Sequence, residues 1–149
     1  LGDIHIQSAD PMVPPAIRFN FMSAAYDREG TVAAMRKARE LFSTSPLADV
    51  VGKEIGPGPE CQSDNDMVEW IKNNAETTYH PVGTCKMGSD HLAVVNEQLK
   101  VHGIDGLRIA DASIMPTLTS GNTNAPSIMI GEKCAEMVLK TASNLEEAA

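Results

Sequence analysis

His80 is the residue best placed by type and neighbours to do chemistry. It lies in Tyr79-His80-Pro81-Val82-Gly83-Thr84-Cys85. The proline disfavours a helical backbone at the residue before it, so His80 is held extended, and Gly83 permits a sharp bend just beyond. An imidazole fixed on such a bend is a candidate general base, because imidazoles titrate near neutrality. On spacing alone a structural His, donating one hydrogen bond inside a turn, is the preferred reading. A second polar segment, Gly121-Asn122-Thr123-Asn124-Ala125-Pro126, runs straight into a predicted C-terminal helix. Asn124 can cap that helix, and Pro126 is tolerated in its first turn. Amides at a helix start attract negative charge, and Asn122 stands just outside, with its side-chain amide available to a ligand. A third segment, Asp111-Ala112-Ser113, follows the apolar run Leu107-Arg108-Ile109-Ala110. An Asp at a strand's carboxyl end is a common cofactor contact in α/β folds. A turn Asp bonding its own backbone is equally common.

Other chemistries find less support. Cys85 follows His80 on a turn-rich segment and could form a Cys-His pair. No acid or amide is evidently placed to orient the His, and no oxyanion motif accompanies it. Gly56-Pro57-Gly58 is flanked by prolines and is no phosphate loop. His5, His91 and His102 read as structural or solvated. No CxxC or HxxxH spacing suggests a metal, and none is expected.

Composition narrows the field. The 149 residues make one ordinary domain's length, with 42% hydrophobic and 21% charged residues, so a packed core is expected. Aromatics are only 4%, which leaves the eight methionines as filler. Twelve basic against twenty acidic residues give a net charge of -8. That argues against nucleic acid and against anionic lipid, both of which need clustered cations. The three cysteines, Cys61, Cys85 and Cys134, are odd in number and widely spaced. They make no disulfide framework and point to a reducing compartment. No apolar run is long enough to span a membrane.

The elements that must position these segments read as follows. Ile4, Ile6 and Ser8 alternate with His5 and Gln7, and Ile17, Phe19 and Phe21 alternate with Arg18 and Asn20. These are two strands that can pair antiparallel. A helix is predicted from an Asp27 cap to about Phe42, with Val32, Met35, Ala38, Leu41 and Phe42 buried and Lys37, Arg39 and Glu40 in water. Ser63 is a predicted cap for a second helix, whose apolar face is Met67, Val68 and Ile71. Beyond Tyr79, turns at Gly83, Gly88, Gly103 and Gly106 separate very short strands, of which Leu107 to Ala110 is the best buried candidate. The last helix is predicted over about Ala125 to Thr141, with Ile128, Ala135, Val138 and Leu139 inward. The tail Glu146-Glu147-Ala148-Ala149 is expected to fray.

Several segments together resemble the glucose-methanol-choline flavoprotein oxidoreductases, in particular their C-terminal portion. They are His80 to Gly88, Val101 to Pro116, Ser120 to Pro126 and Met129 to Glu132, with Ser8-Ala9-Asp10-Pro11 and Glu54 to Gly58 upstream. Motifs in the right order are much more specific than any one. Within the family the likeness is greatest to the choline and aliphatic alcohol dehydrogenase branch.

The resemblance implies an α+β fold: antiparallel strands packed with helices, forming part of a substrate domain, plus the C-terminal strand-loop-helix elements of an FAD-binding domain. Residues 1–67 would belong to the substrate domain, and residues 68–149 would finish it and complete the FAD domain. The implied activity is oxidation of a primary alcohol to an aldehyde with FAD. His80 takes the position of the family's catalytic His, and Asn122 that of its second His or Asn. Asp111 and Ala112 match the segment at the FAD ribityl-pyrophosphate region, and Asn124 and Ala125 the helix start beneath the flavin pyrimidine ring. The family's Gly-rich dinucleotide turn has no counterpart here. The chain therefore reads as a piece of a longer enzyme, with the N-terminal FAD-binding portion as its missing partner and a small alcohol as substrate. Alone it is expected to bind FAD weakly or not at all, to be inactive, and to self-associate through apolar surface meant for that portion. The expected location is cytoplasmic, or peripheral on the cytoplasmic side of a membrane. The competing classes are a non-catalytic binding module of the same fold and a Cys-His hydrolase.

Overall fold

The computed structural model describes Gly2 to Glu147, with side chains as far as Ser143. Leu1 and the end of the expected frayed tail, Ala148 and Ala149, lie outside the described residues. The class is α+β, with one two-stranded antiparallel ribbon and three α-helices among the described residues. The chain divides into two compact units between Glu76 and Thr77.

The first unit opens with β1 (Asp3–His5) and β2 (Ala16–Arg18), paired antiparallel as the alternation predicts, with Ile4 opposite Ile17. Arg18 adds a 2.9 Å hydrogen bond from Nε to the Asp3 carboxylate at the ribbon's end. Helix α1 covers Ala25–Phe42. It starts before the predicted cap: Ala24 precedes it and makes no side-chain cap bond, while Asp27 lies in the first turn. The chain's entry is instead tied by Arg28 Nη1, which donates to the carbonyls of Met22 and Ser23 at 2.9 and 2.7 Å. Helix α2 (Asp64–Asn74) is capped as expected. Ser63 accepts from the Asp66 N–H, and the Asp66 carboxylate accepts from the Ser63 N–H in return. The Ser63 hydroxyl and backbone hold the Asp66 carboxyl below its usual range.

Val32, Cys61, Met67 and Ile71 form this unit's buried cluster, with Met22, Met35, Val68 and Trp70 packed around it. Two expectations for α1 need correction. Leu41 and Phe42 are exposed, because the buried contacts of α1 lie in its middle turns, and periodicity marks a stripe without saying how far its partner extends. Arg39 does not sit in water. Its guanidinium donates to Glu54 at 3.0 Å and to the carbonyls of Cys61 and Gly58 at 2.8 and 3.0 Å. One planar fork thereby satisfies two carbonyls of the irregular connector between α1 and α2.

The second unit has little regular pairing. Its bridges are single: Met87 with Val95, Val95 with Val101, and Lys100 with Arg108. The expected buried strand Leu107 to Ala110 is not one. Only Arg108 bridges, Leu107 is exposed, and Ile109 and Ala110 are half-buried. Gly103 and Gly106, at φ 76° and 75°, form the turn before this stretch, and the pairing beyond that turn is one bridge with the bonds Val101 N–H to the Leu107 carbonyl and Ile109 N–H to the Leu99 carbonyl. A short 3₁₀ turn, Ala112–Ile114, follows, and then α3 (Asn124–Glu147).

Val95, Leu99, Ile114, Met115 and Ile130 make the core of this unit, with Cys134 and Met137 packed on it. The inward face of α3 is thus Ile130, Cys134 and Met137, not the predicted set, since Ile128, Ala135, Val138 and Leu139 are exposed. Both stripes have helical spacing, and only the position of Ile114 and Met115 chooses between them. The helix also outruns Thr141, because no Gly or Pro interrupts residues 142–147 and Ala, Leu and Glu favour helix there. No helix among the described residues is long and apolar enough to cross a membrane.

Met67 is fully buried. Met67→Ala is expected to destabilise the first unit by about 2–5 kcal/mol, read as a lower urea midpoint at unchanged slope. On α3 the ammonium groups of Lys140 and Lys133 hold the Glu136 carboxyl down at about 2, from an ordinary 4.5. A depressed carboxyl pKa stabilises the fold above the unfolded value, and that contribution is lost as pH falls through the folded one. Acidification from 4.5 to 2 should therefore reduce α3 helicity by circular dichroism in a part that Glu136→Gln lacks and that high salt weakens.

Candidate functional site

The sequence motifs of the second unit come together through main-chain hydrogen bonds. Downstream of His80, the Cys85 N–H donates to the Ser113 carbonyl at 3.0 Å, and the Met87 N–H to the Ile114 carbonyl at 2.7 Å. The chain enters this pairing through Gly83, whose φ of 86° is left-handed. Glycine is favoured there by conformation, and a Cβ would stand 3.2 Å from the Met115 carbonyl oxygen, a tight contact. Ile114 and Met115 are buried, which fixes the 3₁₀ turn that presents Asp111 and Ala112. Asp111 is exposed, and its Oδ1 accepts from the Ser113 N–H at 2.7 Å, the turn role that its type allows. Its other carboxylate oxygen has no partner among the described residues. Ala112 is half-buried beside it.

His80 is half-buried, and its Nδ1 lies 2.9 Å from the hydroxyl of Thr123. Nε2 makes no hydrogen bond to any described residue. Thr123 is 8% exposed and is the one buried polar residue among those described. Its carbonyl accepts from the Ser127 N–H at 3.0 Å and from the Ser127 hydroxyl at 2.6 Å. That backbone bond is the first of α3, so Thr123 stands at the cap position and Asn124 is already helical. This corrects the expected cap. The hydroxyl at the cap position is turned to His80 instead of the helix, and the backbone N–H groups of Asn124 and Ala125 make no hydrogen bond to any described residue. Pro126 has no N–H to offer. Asn122, Asn124 and Ala125 are exposed, and the Asn122 amide is without a partner among the described residues.

The structure thus joins the His80 segment to the Asn122 loop through Thr123, and to the Asp111 turn through the backbone. Thr123 is the residue that sequence reasoning missed. Its type fits a cap as well as Asn124 does, and nothing local says which residue caps and which is free. Cys85 makes no side-chain hydrogen bond to His80, and that position is used through its backbone. Nearby, the Lys86 ammonium and the Leu92 N–H hold the Asp90 carboxyl below the ordinary carboxylate range. His102 Nε2 lies 3.1 Å from the Gly88 carbonyl, in keeping with a structural role. Among the described residues no group of three or more His, Cys, Asp and Glu could hold a metal ion. A groove of about 790 Å³ between residues 100–108 and the later turns of α3 contains none of these site residues.

Residues 1–131 match the GMC oxidoreductase family, and the chain belongs to it. An oxygen-dependent choline dehydrogenase of Escherichia coli is 50% identical over 137 residues, which cover 92% of this chain and 25% of the relative. Among solved structures, the pyridoxine 4-oxidase of Mesorbium loti superposes with a TM-score of 0.84 at 32% identity, over 91% of this chain and 26% of that one. A formate oxidase of Aspergillus oryzae, studied for modification of its FAD, gives a TM-score of 0.84 at 31% identity, over 97% and 25%. The chain therefore spans about a quarter of the length of the relatives it matches.

Gly83→Ala places a side chain on a left-handed backbone against a carbonyl. It is expected to cost about 1–2 kcal/mol by conformation alone, measured as a lower thermal or urea midpoint of the second unit.

Proposed function

We propose that this chain is the C-terminal catalytic portion of an FAD-dependent enzyme that oxidises a primary, choline-like alcohol to its aldehyde, with His80 taking the hydroxyl proton. The observation that carries this reading is the ring of His80. One nitrogen is engaged by Thr123, the other is unengaged, and the loop bearing Asn122 is tied to the same side chain. The similarity to choline dehydrogenase favours a choline-like alcohol over other CH–OH donors.

In this reading Nε2 of His80 accepts the proton of the substrate hydroxyl. The amide of Asn122 donates to the same oxygen and fixes its direction. FAD, when bound, supplies the acceptor for the hydride. The residues present fit part of such a cofactor. The free N–H groups of Asn124 and Ala125 favour negative charge at the start of a long helix whose first turn holds no acidic residue. Asp111 and Ala112 offer a turn with one unengaged carboxylate oxygen for the cofactor's polar chain. The Gly-rich turn that anchors a dinucleotide is not among these 149 residues, so the rest of the cofactor site falls to the N-terminal portion of the enzyme. Residues 1–67 are assigned to the substrate domain and residues 68–149 to its remainder and to the FAD domain. Exposed Ile6, Phe19, Phe21 and Ile55 make the separate chain prone to self-association. Three free cysteines favour a reducing site of action, in the cytoplasm or at the cytoplasmic side of a membrane.

Anaerobic stopped-flow on the enzyme that contains this chain tests the assignment. His80→Ala is expected to slow flavin reduction by the alcohol by about 10²-fold or more, the loss typical of a general base. An unchanged reduction rate overturns the role of His80. Asn122→Ala should slow the same step by about tenfold, the worth of one well-made hydrogen bond.

A further inference from the structure

We propose that Thr123 is a positioning residue that keeps the proton of neutral His80 on Nδ1, and so keeps Nε2 bare for the substrate's proton. This rests on the reading of His80 given above. A neutral imidazole carries one proton, and the partner of one nitrogen decides where it sits. The Thr123 hydroxyl lies 2.9 Å from Nδ1. If the hydroxyl donated to Nδ1, the ring proton would sit on Nε2, and His80 could not act as a base there. If Nδ1–H donates to Oγ1, Nε2 presents a lone pair. A hydroxyl can do either, since it has one proton and two acceptor positions. Only the second arrangement survives the proton transfer without rearrangement.

The transfer itself balances simply. The alcohol O–H bond breaks, its electron pair stays on the oxygen, and the proton forms an N–H bond at Nε2. The ring is then an imidazolium with both nitrogens protonated. Nδ1–H still donates to Oγ1, now as a charge-assisted bond, which is shorter and stronger than a neutral one. The same contact therefore strengthens as the proton arrives, which is the property required of a group that helps the step rather than the resting state.

Thr123 is built to hold this place. It is nearly buried, and its carbonyl is gripped by both the N–H and the hydroxyl of Ser127. Its oxygen thus stands on the first turn of a long helix, while His80 comes from 43 residues upstream. Because Asn122 is the adjacent residue, the same tether also sets the separation between the base and the amide that would share the substrate oxygen.

The test has a spectroscopic and a kinetic arm, both on the enzyme that contains this chain. With ¹⁵N-labelled histidine, and His80→Ala to assign the signal, the neutral ring of His80 is expected to show the Nδ1–H tautomer in wild type, flavin-free as well as loaded. An Nε2–H ring in wild type overturns the proposal and needs no variant to fold. Thr123→Val should shift the ring toward Nε2–H and lower kcat about tenfold with KM little changed, the cost of one lost hydrogen bond. Thr123→Ser should restore both. Suppose His80→Ala slows reduction while Thr123→Val leaves tautomer and kcat unchanged. Then Thr123 has no positioning role and the base assignment stands. Should His80→Ala leave reduction unchanged, the base assignment itself fails.

Discussion

Val95 is the point on which the second unit turns. It is fully buried, it bridges to Met87 on one side and to Val101 on the other, and it packs with Leu99, Ile114, Met115 and Ile130. A segment with single bridges in place of ladders has few backbone bonds to define it. Burial must supply the rest, and one closely packed cluster does so. The main-chain bonds from Cys85 to Ser113 and from Met87 to Ile114 then run directly over that cluster. Removing volume from it would loosen the His80 segment and the Asp111 turn together, because both hang from Ile114 and Met115. Irregular backbone of this kind suits a site. It lets residues from distant stretches of sequence approach closely, at the cost of depending on a small core.

The first unit solves a similar problem with charge. The connector that carries Gly56-Pro57-Gly58-Pro59 has neither helix nor strand to satisfy its carbonyls, and Arg39 takes two of them while pairing with Glu54. That ion pair is partly covered, with side chains 23% and 30% exposed, so it is screened less than the Lys37 and Glu40 pair on the same helix. The apolar residues in and just beyond the β1–β2 ribbon have no such cover. Phe19 and Phe21 stack on each other at 5.1 Å, yet both remain exposed, and a lone two-stranded ribbon is marginal in water.

Much of this was legible in the sequence, and most of the failures share one cause. The three helices, the ribbon and the α2 cap are local features, written in period, turn residues and capping types. The family likeness rests on ordered motifs, which are equally local. What sequence could not give is the choice among equivalent local options. Ile128, Ala135 and Val138 have the spacing of a buried stripe as surely as Ile130, Cys134 and Met137 do. Asn124 has the chemistry of a cap as surely as Thr123. Arg39 reads as a solvated charge until a connector with unsatisfied carbonyls lies beside it. In each case a contact distant in sequence decides. The buried strand expected at Leu107 to Ala110 shrinks to the single Lys100–Arg108 bridge beyond the turn at Gly103 and Gly106.

The division of labour in the site follows from where its parts lie in the chain. A dinucleotide needs a strand, a Gly-rich turn and a helix to hold its phosphates, and these 149 residues contain no such turn. Proton transfer needs something different: an imidazole with a defined tautomer and a polar neighbour at fixed distance. The residues proposed for both belong to a single compact unit here, with His80 bonded to Thr123 and Asn122 next to Thr123 in the chain. In the proposed reading, a base that meets a substrate bound largely by other parts of the enzyme gains from such an arrangement. The contacts of His80 are set within that one packing unit. The contact from Thr123 to Nδ1 of His80, at 2.9 Å, is nearly buried and stands at the start of a helix, whereas Nε2 makes no bond to the described residues. That asymmetry leaves Nε2 as the ring nitrogen of His80 open to a ligand, which the proposed role as a base requires.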